Sequence, residues 1–134
     1  MKTEDADRQT IQNELAHFRY FEGVSAENLQ FLSSQVKVIN FEPGQTILAQ
    51  GQVNHHLYFL RSGKLNVFVD GEKVNELTQS GDLIGEMSLI EKVPVRATVQ
   101  AATAASVYSL FDGSIDNLPS DQRQICENIL YRVY

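Results

Sequence analysis

A mainly β fold with flanking helices is what this 134-residue chain predicts: an eight-stranded roll of the jelly-roll type (a double-stranded β-helix) with N-terminal helices, a short internal helix and a C-terminal helix. Three observations predict it. Between Val36 and Phe111, eight or so short apolar stretches are cut at close intervals by turn residues, the rhythm of a sandwich or roll. No helix-length apolar pattern separates those stretches, which excludes alternating strand–helix units. A helical period appears only before Val36 and again after Pro119.

The elements follow in order. Ile11, Leu15 and Phe18 recur at helical spacing, with Arg8, Gln9, Gln12 and Asn13 on the other face, and Gly23 ends that segment. Ser25 is placed to cap a second helix that carries Glu27 in its first turn and Leu29, Phe31 and Leu32 on its buried side. Val36, Val38, Ile39 and Phe41 then lead to the turn Glu42-Pro43-Gly44-Gln45. Thr46-Ile47-Leu48 and Leu57-Tyr58-Phe59-Leu60 are the next strands. Leu65, Val67 and Val69 alternate with Asn66, Phe68 and Asp70, and Asp70-Gly71 signals a hairpin returning through Val74 and Leu77. Ala97, Val99 and Ala101 alternate with Thr98 and Gln100 before a strand over Ser106 to Phe111. Cys126, Ile129, Leu130 and Val133 form the stripe of the last helix. The expected organisation is one domain, residues 1–134: helices over 1–34, the roll over 35–111 with a cassette at 85–99, and the C-terminal helix over 114–134.

Bulk composition narrows the function. Seventeen acidic against eleven basic residues give a formal charge of −6, with no lysine–arginine cluster, so this chain alone is not expected to bind nucleic acid. A single cysteine, Cys126, excludes a disulfide within the chain and a cluster held by four local thiolates. Met1 to Ala6 lacks the apolar core of a signal peptide, and no eighteen apolar residues run together, so a cytoplasmic protein without a membrane span is expected. His55 and His56 are neighbours whose side chains would point to opposite sides of a strand, a poor basis for a shared metal site. No nucleophile–base pair or carboxylate pair is recognisable, so the chain reads as a binding module and not an enzyme.

The residues that carry chemistry are Gly85-Glu86-Met87-Ser88-Leu89-Ile90, followed by Pro94-Val95-Arg96-Ala97-Thr98-Val99. Glycine lets backbone come close to a ligand, and amides at a helix start suit an anion. A carboxylate accepts hydrogen bonds from sugar hydroxyls, and a guanidinium forks onto a phosphate. One pocket holding all three suits a ribose-phosphate. Three further stretches share this chain's order: Phe21-Glu22-Gly23-Val24-Ser25, Phe41-Glu42-Pro43-Gly44-Gln45-Thr46-Ile47, and Leu57-Tyr58-Phe59-Leu60-Arg61-Ser62-Gly63-Lys64-Leu65. With Gly81 to Ile90, the four in sequence resemble the cyclic-nucleotide-binding domain family over roughly Phe18 to Phe111.

The resemblance implies a cyclic nucleotide, cAMP or cGMP, as ligand, and no cofactor. It implies Gly85 and nearby amides at the cyclic phosphate and Glu86 at the ribose 2′-hydroxyl. Met87 and Ser88 fall in the same turn, an arginine near the cassette's end meets the phosphate, and the residue after it, here Ala97, lies toward the base. The ligand set so implied is Gly85, Glu86, Met87, Ser88, Arg96 and Ala97. It also implies output through the C-terminal helix, to a homodimer partner or to a larger effector protein. Where the family's usual wording is Pro-Arg, two small residues, Thr or Ser, then Val, this chain has Val95 after the proline and Arg96 one place later.

That offset has a physical meaning. A slip of one residue on a strand turns an inward side chain outward. Val95, Ala97, Val99 and Ala101 are therefore expected to face the interior, and Arg96, Thr98 and Gln100 the solvent. A bulge before Ala97 would turn Arg96 inward. Arg96 thus stands open between a phosphate partner and a surface charge beside Glu91, and Glu86 between a ribose ligand and a helix cap. Two functions follow: a sensor that binds cAMP or a related nucleotide in the roll, or a degenerate roll serving as a dimerisation or docking module.

Overall fold

The computed structural model describes residues 2–85, 93–110, 119–120, 123–124 and 127–128. Strand β1 (Lys2–Glu4) opens the chain, followed by helix α1 (Arg8–Ala16), a 3-10 turn (Arg19–Phe21) and helix α2 (Ala26–Gln35). Eight strands come next: β2 (Lys37–Phe41), β3 (Thr46–Leu48), β4 (Leu57–Ser62), β5 (Leu65–Val69), β6 (Glu72–Leu77), β7 (Leu83–Ile84), β8 (Thr98–Ala101) and β9 (Ala105–Leu110). The mainly β roll with flanking helices is thus the observed fold.

Two antiparallel sheets face one another, one ordered β1-β2-β9-β4-β7 and the other β3-β8-β5-β6. One apolar layer fills the space between them, with Phe41, Leu48, Tyr58, Leu60, Leu65 and Val107 among its members. A second layer lies between the five-stranded sheet and the helices, built from Ile11, Leu15, Phe18, Leu32, Phe59 and Tyr108 with their neighbours. The middle strands β4 and β9 serve both. Leu57 and Phe59 point to the helices while Tyr58 and Leu60 point into the roll, so all four are buried. Every residue of β9 is buried in the same way. A strand covered on both faces reads as a continuous apolar run, as Leu57-Tyr58-Phe59-Leu60 does.

Local chemistry sets the helix boundaries. Ser25 Oγ accepts a hydrogen bond from Asn28 N at 3.1 Å, the expected N-cap. The first helix is shorter than its apolar period: it stops at Ala16, and Phe18 reaches the core from the link that precedes the 3-10 turn. Helix assignment over 1–34 also misses β1, which pairs Lys2 with Asn40 and Thr3 with Ile39. Lys2-Thr3-Glu4 has no apolar alternation, and the strand forms through backbone hydrogen bonds to the edge of β2. Of the expected C-terminal helix, the described residues Ser120, Arg123, Gln124, Glu127 and Asn128 are helical, with an Arg123–Glu127 ion pair at 3.8 Å. Its apolar stripe at Cys126, Ile129, Leu130 and Val133 lies outside the described residues.

A polar clasp ties α1 to the roll. Arg61 Nε reaches Glu14 Oε1 at 3.2 Å, the Tyr108 hydroxyl donates to Glu14 Oε2, and the Arg61 guanidinium lies 5.6 Å from the centre of the Tyr108 ring. Burial first, and then the bond to Glu14, push the Tyr108 phenol above its usual 10.0. Burial raises Tyr58 as well. A group that holds its proton more tightly when folded contributes stability that is complete below its unfolded value and is lost as pH rises through the folded one. Thermal stability is therefore expected to fall as pH climbs beyond about 10. Tyr108→Phe should flatten that decline and cost about 1–2 kcal/mol at neutral pH. A series of melts across alkaline pH checks both.

Candidate ligand site

Gly85 follows β7 with a φ of 84°, in the left-handed region that a side chain disfavours. Its carbonyl faces Asn54, whose Nδ2 donates to Gly85 O at 3.3 Å and to His56 O at 2.7 Å. Asn54 Oδ1 in turn accepts from His56 N at 3.0 Å. One buried amide side chain, 6% exposed, therefore joins the start of β4 to the end of β7, 31 residues away. The His56 ring continues the network: Nδ1 sits 3.3 Å from Ser109 Oγ, and the ring stacks on Tyr58 at 5.5 Å. His55 is exposed while His56 is half-buried, in keeping with their alternation. Among the described residues, no group of three or more metal-ligating side chains assembles.

The second half of the cassette approaches the same wall. Val95 is buried at 7% and packs in the apolar layer that holds Leu48, Ile84 and Val99. Its backbone is held on both sides, the amide donating to Gln52 O at 2.9 Å and the carbonyl accepting from Gly51 N at 2.7 Å. Thr98 Oγ1 accepts from Gln50 N at 3.0 Å, and Gln50 Nε2 reaches Asp70 Oδ1 at 2.9 Å. The 50–52 turn is thereby fastened to the strand leading into β8 and to the β5–β6 hairpin.

Burial alternates within β8, Thr98–Ala101, and less cleanly in the residues that lead into it. Val95, Val99 and Ala101 are buried, Ala97 is half-buried, and Arg96 is exposed. Thr98 and Gln100 are half-buried and more closely held than a solvent-facing reading expects, because Thr98 supports the 50–52 turn and Gln100 Nε2 reaches Thr46 Oγ1 at 3.4 Å. Of the expected ligand set, the structure places Gly85 and Ala97 along the roll, with Arg96 at its surface. Glu86, Met87 and Ser88, with the short helix expected at Met87–Ile90, lie outside the described residues.

Asn54 is the residue that reading the sequence for chemistry passes over. Its only local signal is position, a polar side chain just before a wholly apolar strand, and its partner at Gly85 is remote. Asn54→Ala is expected to leave His56 N–H, His56 C=O and Gly85 C=O short of partners. The cost should be about 1–3 kcal/mol. Faster hydrogen exchange at the His56 amide would report the loosened turn.

Two facing antiparallel sheets, helices on one of them, and a left-handed glycine turn pinned beside the inner layer define a β-roll domain. A family model described as cyclic nucleotide-binding domain matches residues 38–121, and the chain belongs to that family. It is 36% identical over 87 residues to a cGMP-dependent protein kinase of Toxoplasma gondii, a match covering 65% of this chain and 9% of the kinase. A cyclic nucleotide-binding domain from Methylobacillus flagellatus has the same fold, with a TM-score of 0.77 at 21% identity, over 94% of this chain and 73% of that one. The regulatory subunit of a cAMP-independent protein kinase A from Trypanosoma cruzi, bound to guanosine, matches with a TM-score of 0.72 at 25% identity, over 92% of this chain and 49% of that one. This chain spans a small part of the kinase it resembles. Among the described residues, no helix is long and apolar enough to cross a membrane.

Proposed function

We propose that this chain is a cytoplasmic regulatory sensor domain that takes cAMP or a related nucleotide in its roll, beside the Gly85 turn. The observation that carries the reading is that turn: a left-handed glycine held by a buried asparagine against the inner layer, inside the 38–121 family match. Glu86 would accept from the ribose hydroxyl, Met87 and Ser88 would complete the turn, and Ala97 would border the base. Occupancy would act on the C-terminal helix, and through it on a second copy or an effector protein. Such a response requires that the ligand bind one helix position more tightly than the other. The role is regulatory, with no reaction assigned to the chain and no nucleic acid as partner.

That the fold of the Trypanosoma cruzi relative holds guanosine supports a ligand class wider than cyclic nucleotides. A second reading, a degenerate roll acting as a docking or dimerisation unit, is favoured by a buried Val95 where the family's arginine belongs and an exposed Arg96. Calorimetric titration with cyclic nucleotides and with nucleosides separates the two. Saturable heat that Glu86→Ala weakens supports the sensor. No heat and no thermal shift with any of them at millimolar concentration leaves only the docking unit.

A further inference from the structure

We propose that residues 49–54 form a clip holding both ends of the interval between Gly85 and Val95, and that Gln50 and Asp70 are the positioning residues that fasten it. Resting on the sensor reading above, the pair sets how tightly the site takes its nucleotide, although neither residue belongs to the expected ligand set. At the leading end, Asn54 Nδ2 donates to Gly85 O at 3.3 Å. At the far end, Gly51 N donates to Val95 O at 2.7 Å, and Val95 N donates to Gln52 O at 2.9 Å. One short segment thus fixes where this stretch of chain begins and where it ends. Tying both ends of an interval removes conformations from it, whatever its own structure.

The clip is itself fastened from outside. Its own turn is closed by Ala49 N donating to Gln52 Oε1 at 2.8 Å. Gln50 N donates to Thr98 Oγ1. The Gln50 side chain then makes a two-way bond with the tip of the β5–β6 hairpin: Nε2 donates to Asp70 Oδ1, and Oε1 accepts from Asp70 N, both at 2.9 Å. A side-chain amide that donates and accepts at once is fixed in orientation as well as in place. Asp70 presents both groups at a φ of 51°, the left-handed conformation that the two-residue turn between β5 and β6 demands. Both residues lie outside the two apolar layers, so removing either unfastens the clip without opening the core.

The test joins calorimetric titration of the full chain with cAMP and cGMP to amide hydrogen exchange without ligand, on Gln50→Ala, Asp70→Gly and Asp70→Asn. Glycine accepts the left-handed φ, so Asp70→Gly removes the carboxylate without backbone strain. Asparagine keeps an oxygen acceptor and removes only the charge. Gln50→Ala and Asp70→Gly should speed exchange of the Gly51 and Val95 amides about tenfold, with the Phe59 and Val107 amides and the melting temperature unchanged. Both should weaken nucleotide binding about tenfold, and Asp70→Asn should stay within about twofold of the wild type. Equal weakening by Asp70→Asn and Asp70→Gly would assign the effect to charge and overturn the proposal. Wild-type affinity in Gln50→Ala would overturn it too, as would affinity lost only together with melting temperature. Each of these leaves the sensor reading standing. A wild-type chain that binds neither nucleotide removes the sensor reading itself, and exchange then decides alone: unchanged protection at Gly51 and Val95 in both variants overturns the clip, and faster exchange there upholds it.

Discussion

Phe59→Ala should lower the unfolding free energy by about 3–5 kcal/mol, the largest single loss expected anywhere in the described core. Phe59 is fully buried on β4 and faces the helices. Its ring meets Phe21 at 5.2 Å, stacks on Phe18 at 5.9 Å and lies 6.3 Å from Tyr20, so three aromatic contacts and the seam between helices and sheet go together. Pairs of this kind add about 0.5–1.5 kcal/mol each beyond their buried area. Single domains are stable by only about 5–15 kcal/mol, so the variant should melt far below the wild type. Chemical denaturation with an unchanged slope would show that stability, and not the compactness of the unfolded chain, had changed. Phe59→Leu, which keeps most of the volume, should recover the larger part of the loss.

Gly85→Ala is the change expected to do most harm at the site. At a φ of 84° an alanine pays about 1–3 kcal/mol in backbone strain. Its Cβ would also stand 2.7 Å from Asn54 Nδ2 and 3.1 Å from Leu48 Cδ1. Asn54 cannot simply swing aside, because the same nitrogen donates to His56 O and its oxygen accepts from His56 N. Displacing it would add about 1–3 kcal/mol for unsatisfied backbone groups. The double variant Gly85→Ala with Asn54→Ala relieves the crowding. The summed cost of the single variants should therefore exceed the cost of the pair, and that non-additivity is the signature of direct contact. On the proposed sensor function, ligand heat should be lost in Gly85→Ala even under conditions where the chain is folded, because the turn proposed to meet the ligand would be misplaced.

Much of the fold was legible because strand and helix periods are local properties. Leu65-Asn66-Val67 and Val99-Gln100-Ala101 alternate as strands, and Ser25 announces the helix that it caps. The burial of the cassette's second half follows the expected order at two positions: Val95 is buried and Arg96 is exposed. Thr98 and Gln100 show the limit of that reasoning. Alternation assigns them a face, but their burial depends on the 50–52 turn and on β3, which the sequence pattern around them does not mention. Strand β1 escaped notice for a related reason. It is held by backbone pairing to β2 and carries no apolar pattern of its own.

From its amino acids alone the chain determined a rhythm of short strands, two N-terminal helices, a glycine turn at Gly85, and a buried valine beside an exposed arginine. Folding decided which distant groups would meet. Asn54 finds Gly85 across 31 positions, Arg61 finds Glu14 across 47, and Tyr108 finds Glu14 across 94. Periodicity records which face a side chain occupies, since that depends on its own strand or helix. It does not record what stands opposite, since that depends on how the two sheets and the helices close over one another.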